Sequence, residues 1–217
     1  MLLIAHRGDT SSHKENTIEA FVSAFDKGAD GIELDIQLFN GKIIVVHDYQ
    51  FDTNQEYASL EDVLAHIHTR GRIEIEIKAY SAEILVPLHS ILEKFLQADF
   101  ELTTSEIPLT PHIKKQFPNT QVGLIFQATV FQDWMTPALV QQKIIGWAKL
   151  ANADRVHISH ELIRKNGEEL LVKTLHDAGY AVHSHIPKSK QERKYLADIA
   201  DWGVDQCTID SVDLIED

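Results

Sequence analysis

Eight short apolar runs, most of them rich in Val and Ile, alternate along the chain with longer segments of helical period. The runs fall at 2–6, 31–37, 73–78, 100–104, 121–126, 155–159, 181–185 and 206–209. The helical segments fall at 16–27, 60–69, 82–96, 110–117, 137–150, 161–178 and 189–201, with Gly or Pro punctuation between them. Strands separated by helices cannot pair as hairpins, so they pair in parallel through crossovers. Eight such units in 217 residues leave only short loops. That arithmetic predicts an α/β fold, a single (β/α)8 TIM barrel occupying residues 1–217 as one domain. An open doubly wound sheet is the rival, but it rarely needs eight strands.

Two local signals refine this outline. Asn16, with Glu19 three residues on, reads as a capping box opening the first helix, whose stripe Ile18, Phe21, Val22 and Phe25 faces the barrel. Asn40-Gly41 lies between two apolar runs and predicts a β-hairpin after the second strand. A two-residue turn there would pair Asp35 with Val46 and set His47 on the face opposite Glu33. A three-residue loop over 39–41 would pair Glu33 with His47 on one face. The second register is the expectation, because it gathers the polar groups.

Glu33-Leu34-Asp35 puts two carboxylates on one face of a strand. Ile73-Glu74-Ile75-Glu76-Ile77-Lys78 repeats the pattern, with three isoleucines facing one way and Glu74, Glu76 and Lys78 the other. With the isoleucines on helices, the polar face lines the barrel, and Glu76 and Lys78 reach its C-terminal mouth, where sites of this fold sit. The bland alternative is a half-exposed strand. Glu33, Asp35 and Glu76 together offer oxygen ligands and no thiolate, which suits one hard divalent cation, Mg²⁺ or Ca²⁺. His6 and His47 close strands and can exchange protons near neutral pH. Arg7 offers a planar fork for phosphate oxygens and Lys78 a point charge. Metal, cations and two histidines in one mouth point to phosphoryl chemistry.

Charge and cysteine usage trim the alternatives. The formal net charge is −13, which repels nucleic acid and anionic membranes at long range. The single cysteine, Cys207, excludes an internal disulfide framework and points to a reducing, cytoplasmic setting. No apolar run approaches the roughly 20 residues that span a bilayer. Residues 1–5 are too short for a signal-peptide core, so the chain reads as mature.

The motifs Ile4-Ala5-His6-Arg7-Gly8, Glu15-Asn16-Thr17-Ile18-Glu19-Ala20-Phe21, Gly31-Ile32-Glu33-Leu34-Asp35 and Val45-Val46-His47-Asp48 resemble, in order and spacing, the glycerophosphodiester phosphodiesterase family. Ser59-Leu60-Glu61-Asp62 and Ile75-Glu76-Ile77-Lys78 resemble its next blocks, and weaker similarity runs to Thr208-Ile209-Asp210. The resemblance implies a metal-dependent barrel that hydrolyses glycerophosphodiesters to glycerol 3-phosphate and an alcohol. It implies Glu33, Asp35 and Glu76 as metal ligands and His6 and His47 as the acid–base pair. Arg7 and Lys78 would hold phosphate, and Glu15 would support the substrate side. The attacking group would be the substrate's own glycerol hydroxyl, giving a cyclic phosphate that water opens.

The chain departs from the family pattern in four places. Only about ten residues, 49–58, stand where the family carries a substantial insertion. Lys14 replaces a typical proline, and Gln206 a glycine. His185 stands where the seventh strand commonly ends in a tryptophan against the glycerol, making it a substrate-binding candidate. Other residues take bland readings: Trp134, Trp147 and Trp202 as packing, His157 and His160 as a wet rim, Asp48 as an exposed loop acid ahead of a role orienting His47 or a water, Cys207 as core. A lysophospholipid phosphodiesterase of the same superfamily is the nearest alternative function, and a non-catalytic barrel that binds phosphate ligands is the alternative from another class.

Overall fold

A computed structural model describes residues 1–186 and 193–215. Eight parallel strands close on themselves: β1 (Leu2–His6), β2 (Gly31–Phe39), β4 (Arg72–Ile77), β5 (Asp99–Thr104), β6 (Gln121–Ile125), β7 (Arg155–Ser159), β8 (Ala181–His185) and β9 (Gln206–Ile209). Closure comes from β1, which pairs with β2 on one side and β9 on the other. β3 (Lys42–Val45) lies antiparallel against the outer end of β2. The helices α1 (Ile18–Asp26), α2 (Leu60–Ile67), α3 (Leu85–Leu92), α4 (Thr110–Gln116), α5 (Pro137–Ala151), α6 (His160–Lys165), α7 (Glu169–Asp177) and α8 (Arg193–Asp201) surround it. The first residues of the segment expected at 189–201 lie outside the described residues. Among the described residues no helix is long and apolar enough to cross a membrane.

The apolar core lies between the strands and the helices, as the alternation of β4 requires. Ile73, Ile75 and Ile77 are buried against helices, while Glu74 and Glu76 point inward. Inside the barrel the filling is polar: Arg72, Glu74, Glu101, Arg155, His157, His183 and Gln206 are all buried there.

Four local expectations are corrected. Thr17, not Asn16, caps α1, its Oγ1 accepting from the Ala20 N–H at 3.3 Å. Asn16 instead sits at φ 58° and is buried. The hairpin takes the two-residue register: Phe39 pairs Lys42, Ile36 pairs Val45, and the Val46 N–H donates to the Asp35 carbonyl at 3.0 Å. Asn40 and Gly41 both have positive φ, 49° and 77°, the geometry whose twist matches the flanking strands. The segment expected at 161–178 is two helices, because the chain turns at Asn166-Gly167-Glu168, with Glu168 at φ 52°. The segment expected at 82–96 opens with a 3-10 turn, Ala82–Ile84, and α3 starts just before Pro87. A continuous helix would have left the Glu83 carbonyl without the N–H that Pro87 lacks.

The bland readings fare unevenly. Trp147 packs parallel to Phe126, with centroids 6.1 Å apart, and Trp202 stacks on His160 at 5.2 Å. Trp134 is instead 72% exposed and is not core packing. His157 and His160 are buried rather than lining a wet rim. His157 Nε2 bonds Glu101 and its ring stacks on His183, while the His160 ring packs against Trp202 and Tyr195. Cys207 is core, and burial pushes its thiol up to about 12.

Candidate active site

Strand register brings the acids together. β2 and β4 run side by side with Glu33 opposite Glu74 and Asp35 opposite Glu76, while His6 stands opposite Glu33 across β1 and β2. The period-two alternation then stacks the polar groups in two layers, one inside the barrel and one at its mouth. In the mouth layer, carboxylate oxygens of Glu33, Asp35 and Glu76 all lie within 4.8 Å of one another. Burial, then the charges of Asp35 and Glu76, hold the Glu33 carboxyl well above the usual carboxylate range. Burial raises Glu76 as well, against the pull of Lys78.

Two cations flank the acids. The Lys78 ammonium lies 2.7 Å from Glu76 and 3.4 Å from Asp35. Arg7 Nε lies 3.2 Å from Asp35, and Arg7 Nη1 donates to Glu15 at 3.0 Å. Three carboxylates therefore face two cations, one of which Glu15 shares. Both oxygens of Glu33 and Oδ1 of Asp35 are buried without a hydrogen-bond partner. Unpaired buried carboxylate oxygens are costly, so this donor set fits a hard divalent cation.

The backbone explains why His-Arg-Gly must end β1. Arg7 and Gly8 both take positive φ, 57° and 87°, which turns Arg7 back toward β2. A Cβ on residue 8 would lie 2.6 Å from the Ala20 backbone, so only glycine lets α1 approach this closely.

The two histidines are placed differently. His6 Nδ1 lies 2.5 Å from Asp210 Oδ1, and its Nε2 lies 3.9 Å from Glu33. Burial lowers the His6 pKa, although Asp210 opposes the shift. The same His6, with His185, holds Asp210 below the usual range against its own burial. The His185 ring is 5.2 Å from that of His6, and its Nε2 is 3.8 Å from Asp210. His47 is half-buried, with Nδ1 2.8 Å from Asp48 Oδ1, so Asp48 is the exposed loop acid expected and also orients His47. The register expected to bring His47 in does not form. The Gln37 amide does part of that work: it donates to the carbonyls of Val46, His47 and Asp48, bending the chain after β3. The His47 charge then tells on Glu76.

Reading the sequence missed three members of this arrangement. Asn16 donates its Nδ2 to Asp35 Oδ2 at 3.0 Å and accepts from the Asp35 N–H at 3.3 Å. Its adjacency to Glu15 was the available signal. Asp210 closes the Thr208-Ile209-Asp210 strand end, where a polar residue after a buried run marks the mouth. Gln37 had no signal, because its amide acts on backbone.

Comparison with known proteins converges on one family. The model of the Glycerophosphoryl diester phosphodiesterase family matches residues 6–56. The glycerophosphodiester phosphodiesterase of Caldanaerobacter subterraneus subsp. tengcongensis is 31% identical over 172 residues, which cover 61% of this chain and 70% of that protein. This chain belongs to the glycerophosphodiester phosphodiesterase family. It is accordingly an enzyme, a phosphoric diester hydrolase. The glycerophosphodiester phosphodiesterase of Bacillus altitudinis is 34% identical over 97 residues, 44% of this chain and 38% of that protein. Among solved structures, the fold matches a Thermotoga maritima glycerophosphodiester phosphodiesterase with TM-score 0.75 at 18% identity, covering 99% and 96% of the two chains. It also matches an Oleispira antarctica phosphodiesterase in complex with sn-glycerol-3-phosphate, with TM-score 0.80 at 15% identity, covering 99% and 95%. At those identities the structural likeness speaks for the fold, and the family's motifs map onto the mouth of the barrel.

Proposed function

We propose that this enzyme hydrolyses glycerophosphodiesters to glycerol 3-phosphate and an alcohol, with one divalent cation, Mg²⁺ or Ca²⁺, held by Glu33, Asp35 and Glu76. The observation that carries the reading is the set of buried carboxylate oxygens without a hydrogen bond, both on Glu33 and Oδ1 on Asp35. Charge supports it: three carboxylates against Arg7 and Lys78 leave the mouth acidic, and a dication turns it into a site for a phosphodiester anion. The cation, when bound, supplies positive charge to phosphoryl oxygens as charge develops on them.

The chain's own groups divide the remaining work. Arg7 and Lys78 orient the phosphate, and Glu15 and Asp35 fix the Arg7 fork. Asp210 accepts from His6 Nδ1–H, which leaves Nε2 as the lone-pair nitrogen facing Glu33. Burial lowers the His6 pKa, so the ring is neutral at neutral pH and takes the proton of the glycerol 2-hydroxyl. That oxygen attacks phosphorus, and the bond from phosphorus to the alcohol oxygen breaks. His47, on the open side, gives that oxygen its proton. Water then opens the cyclic phosphate, with the proton transfers reversed. His185, beside His6 and Asp210, forms a polar wall on the glycerol side.

The test is release of glycerol 3-phosphate from glycerophosphocholine with Mg²⁺, with Ca²⁺ and with EDTA. Release requires a metal and falls in His6→Ala by about 10²- to 10⁴-fold. Release indifferent to chelator, or to His6→Ala, overturns the reading.

A further inference from the structure

The rim next to Lys78 carries a feature that the chemistry above does not use. Tyr49, two residues past His47, and Tyr80, two residues past Lys78, stack face to face. Their ring centroids are 5.2 Å apart and their planes 12° from parallel. Both rings stand at the surface, Tyr49 47% and Tyr80 76% exposed. The pair bridges two loops, one after β3 and one after β4, so it is not the by-product of one turn. The charges of Glu106 and Glu76, after burial and the Tyr80 hydroxyl, push the Tyr49 hydroxyl up, so both acids bear on the pair. Tyr80 and Glu106 also line one recess of about 180 Å³ with Leu109 and His112, and no Lys or Arg lines it.

We infer that Tyr49, Tyr80 and Glu106 form the leaving-group subsite, and that it takes a quaternary ammonium alcohol such as choline. The inference rests on the phosphodiesterase reading above and names the alcohol that leaves. An aromatic face attracts a cation through its quadrupole, and a quaternary ammonium suits it because it has no N–H to satisfy. A primary ammonium is more strongly hydrated and needs three acceptors, where the recess offers the one carboxylate of Glu106. A polyol alcohol would find few donors on ring faces. An alcohol bearing a carboxylate would meet Glu106, Glu76 and a chain of formal net charge −13. The placement also agrees with the roles above: His47 protonates the leaving oxygen, and Tyr49 follows it in the chain.

The test compares glycerophosphocholine with glycerophosphoethanolamine and glycerophosphoglycerol. The wild type shows its lowest KM with the choline diester. Tyr80→Leu raises that KM by about three- to tenfold and leaves kcat and the KM of the glycerol diester unchanged. Tyr80→Phe, which keeps the ring face, retains the wild-type KM. A change of equal size on all three diesters, or none on the choline diester, overturns the subsite while the phosphodiesterase reading stands. Saturation transfer from the protein to the methyl protons of free choline gives an activity-independent check. Transfer in the wild type that is lost in Tyr80→Leu and kept in Tyr80→Phe supports the subsite even where no diester is hydrolysed. Absence of transfer to the wild type, with hydrolysis intact, overturns it.

Discussion

Two carboxylate clusters sit one above the other on neighbouring strands, sharing β4, and their hydrogen bonds differ. Glu74 and Glu76 are two residues apart on one face of β4, yet one belongs to the barrel interior and the other to the mouth. In the interior, Glu101 accepts from His157 Nε2 at 2.9 Å, from Arg72 at 2.5 Å and from Gln206 at 3.1 Å, with Arg155 Nε at 3.4 Å. Glu74 is bonded to the Gln206 amide and lies 3.2 Å from His183 Nδ1. In the mouth, both oxygens of Glu33 are without a hydrogen-bond partner. The interior carboxylates are saturated: no buried oxygen of Glu74 or Glu101 lacks a hydrogen bond, and the unbonded groups of that layer are arginine nitrogens, Arg72 Nε and Arg155 Nε and Nη1. The mouth cluster is built for something added from outside. Both layers are built on acids, so counting the partners of the carboxylate oxygens separates core from site where composition cannot.

The sharpest way to break that contrast is to remove one charge from each layer. Asp35→Asn removes a charge from the layer with an excess of acid. Catalysis falls by about a thousandfold or more, the scale of losing a group that stabilises developing charge. Stability does not fall with it, since the remaining carboxylates balance Arg7 and Lys78 and an amide at 35 still pairs with Asn16. Glycerol 3-phosphate release and urea unfolding on the same preparation check both halves. Loss of stability on the scale of lost activity would make the mouth a structural network like the interior.

Glu101→Gln is the matching change below. It takes the carboxylate charge from Arg72, which keeps Asp99 and Gln121, and from the Arg155 Nε 3.4 Å away, and a broken buried pair costs about 3–5 kcal/mol. Unfolding by urea shifts accordingly, while the folded fraction keeps its catalytic rate and its metal requirement. A Glu101→Gln enzyme that is stable but inactive would place the interior layer in the chemistry.

Much of this contrast was legible in the chain, and the part that was not has a physical reason. The strands and the inward face of β4 followed from period-two patterning, which a buried isoleucine row enforces strongly. The three mouth acids followed from the same period. What escaped were side chains whose partners lie far off in sequence. Asn16 reads locally as a helix cap, yet its amide is spent on Asp35, 19 residues away. Asp210 meets His6 across 204 residues, and Gln206 meets Glu74 across 132. The hairpin register was misjudged because gathering His47 by pairing ignored what Asn-Gly demands of a turn. Gln37, binding backbone carbonyls, did that work instead. Gln206 also recasts a departure from the family pattern: where a glycine is usual, this chain places an amide that ties Glu74, Glu101 and His183 together.

The smallest expected effect concerns pH, and it separates the layers without mutation. A buried carboxyl with a raised pKa binds its proton more tightly folded than unfolded, so ion-free stability falls as pH rises from the ordinary carboxylate value through the raised one. Glu33 and Glu76 contribute this slope from the mouth. Glu74, raised to about 8 by burial and then by the charge of Glu101, contributes it from the interior. A divalent cation held by Glu33, Asp35 and Glu76 relieves the mouth, where it displaces the protons of Glu33 and Glu76. Added Mg²⁺ or Ca²⁺ therefore raises the melting temperature more at pH 8 than at pH 6; where the ion is at a hundred times its dissociation constant its whole contribution is about 2.7 kcal/mol. In Asp35→Asn that increment shrinks, while the ion-free slope due to Glu74 persists. Thermal unfolding at both pH values, with and without ion, reads the two layers apart. An increment that grows as pH falls would mean the ion binds somewhere other than these three carboxylates.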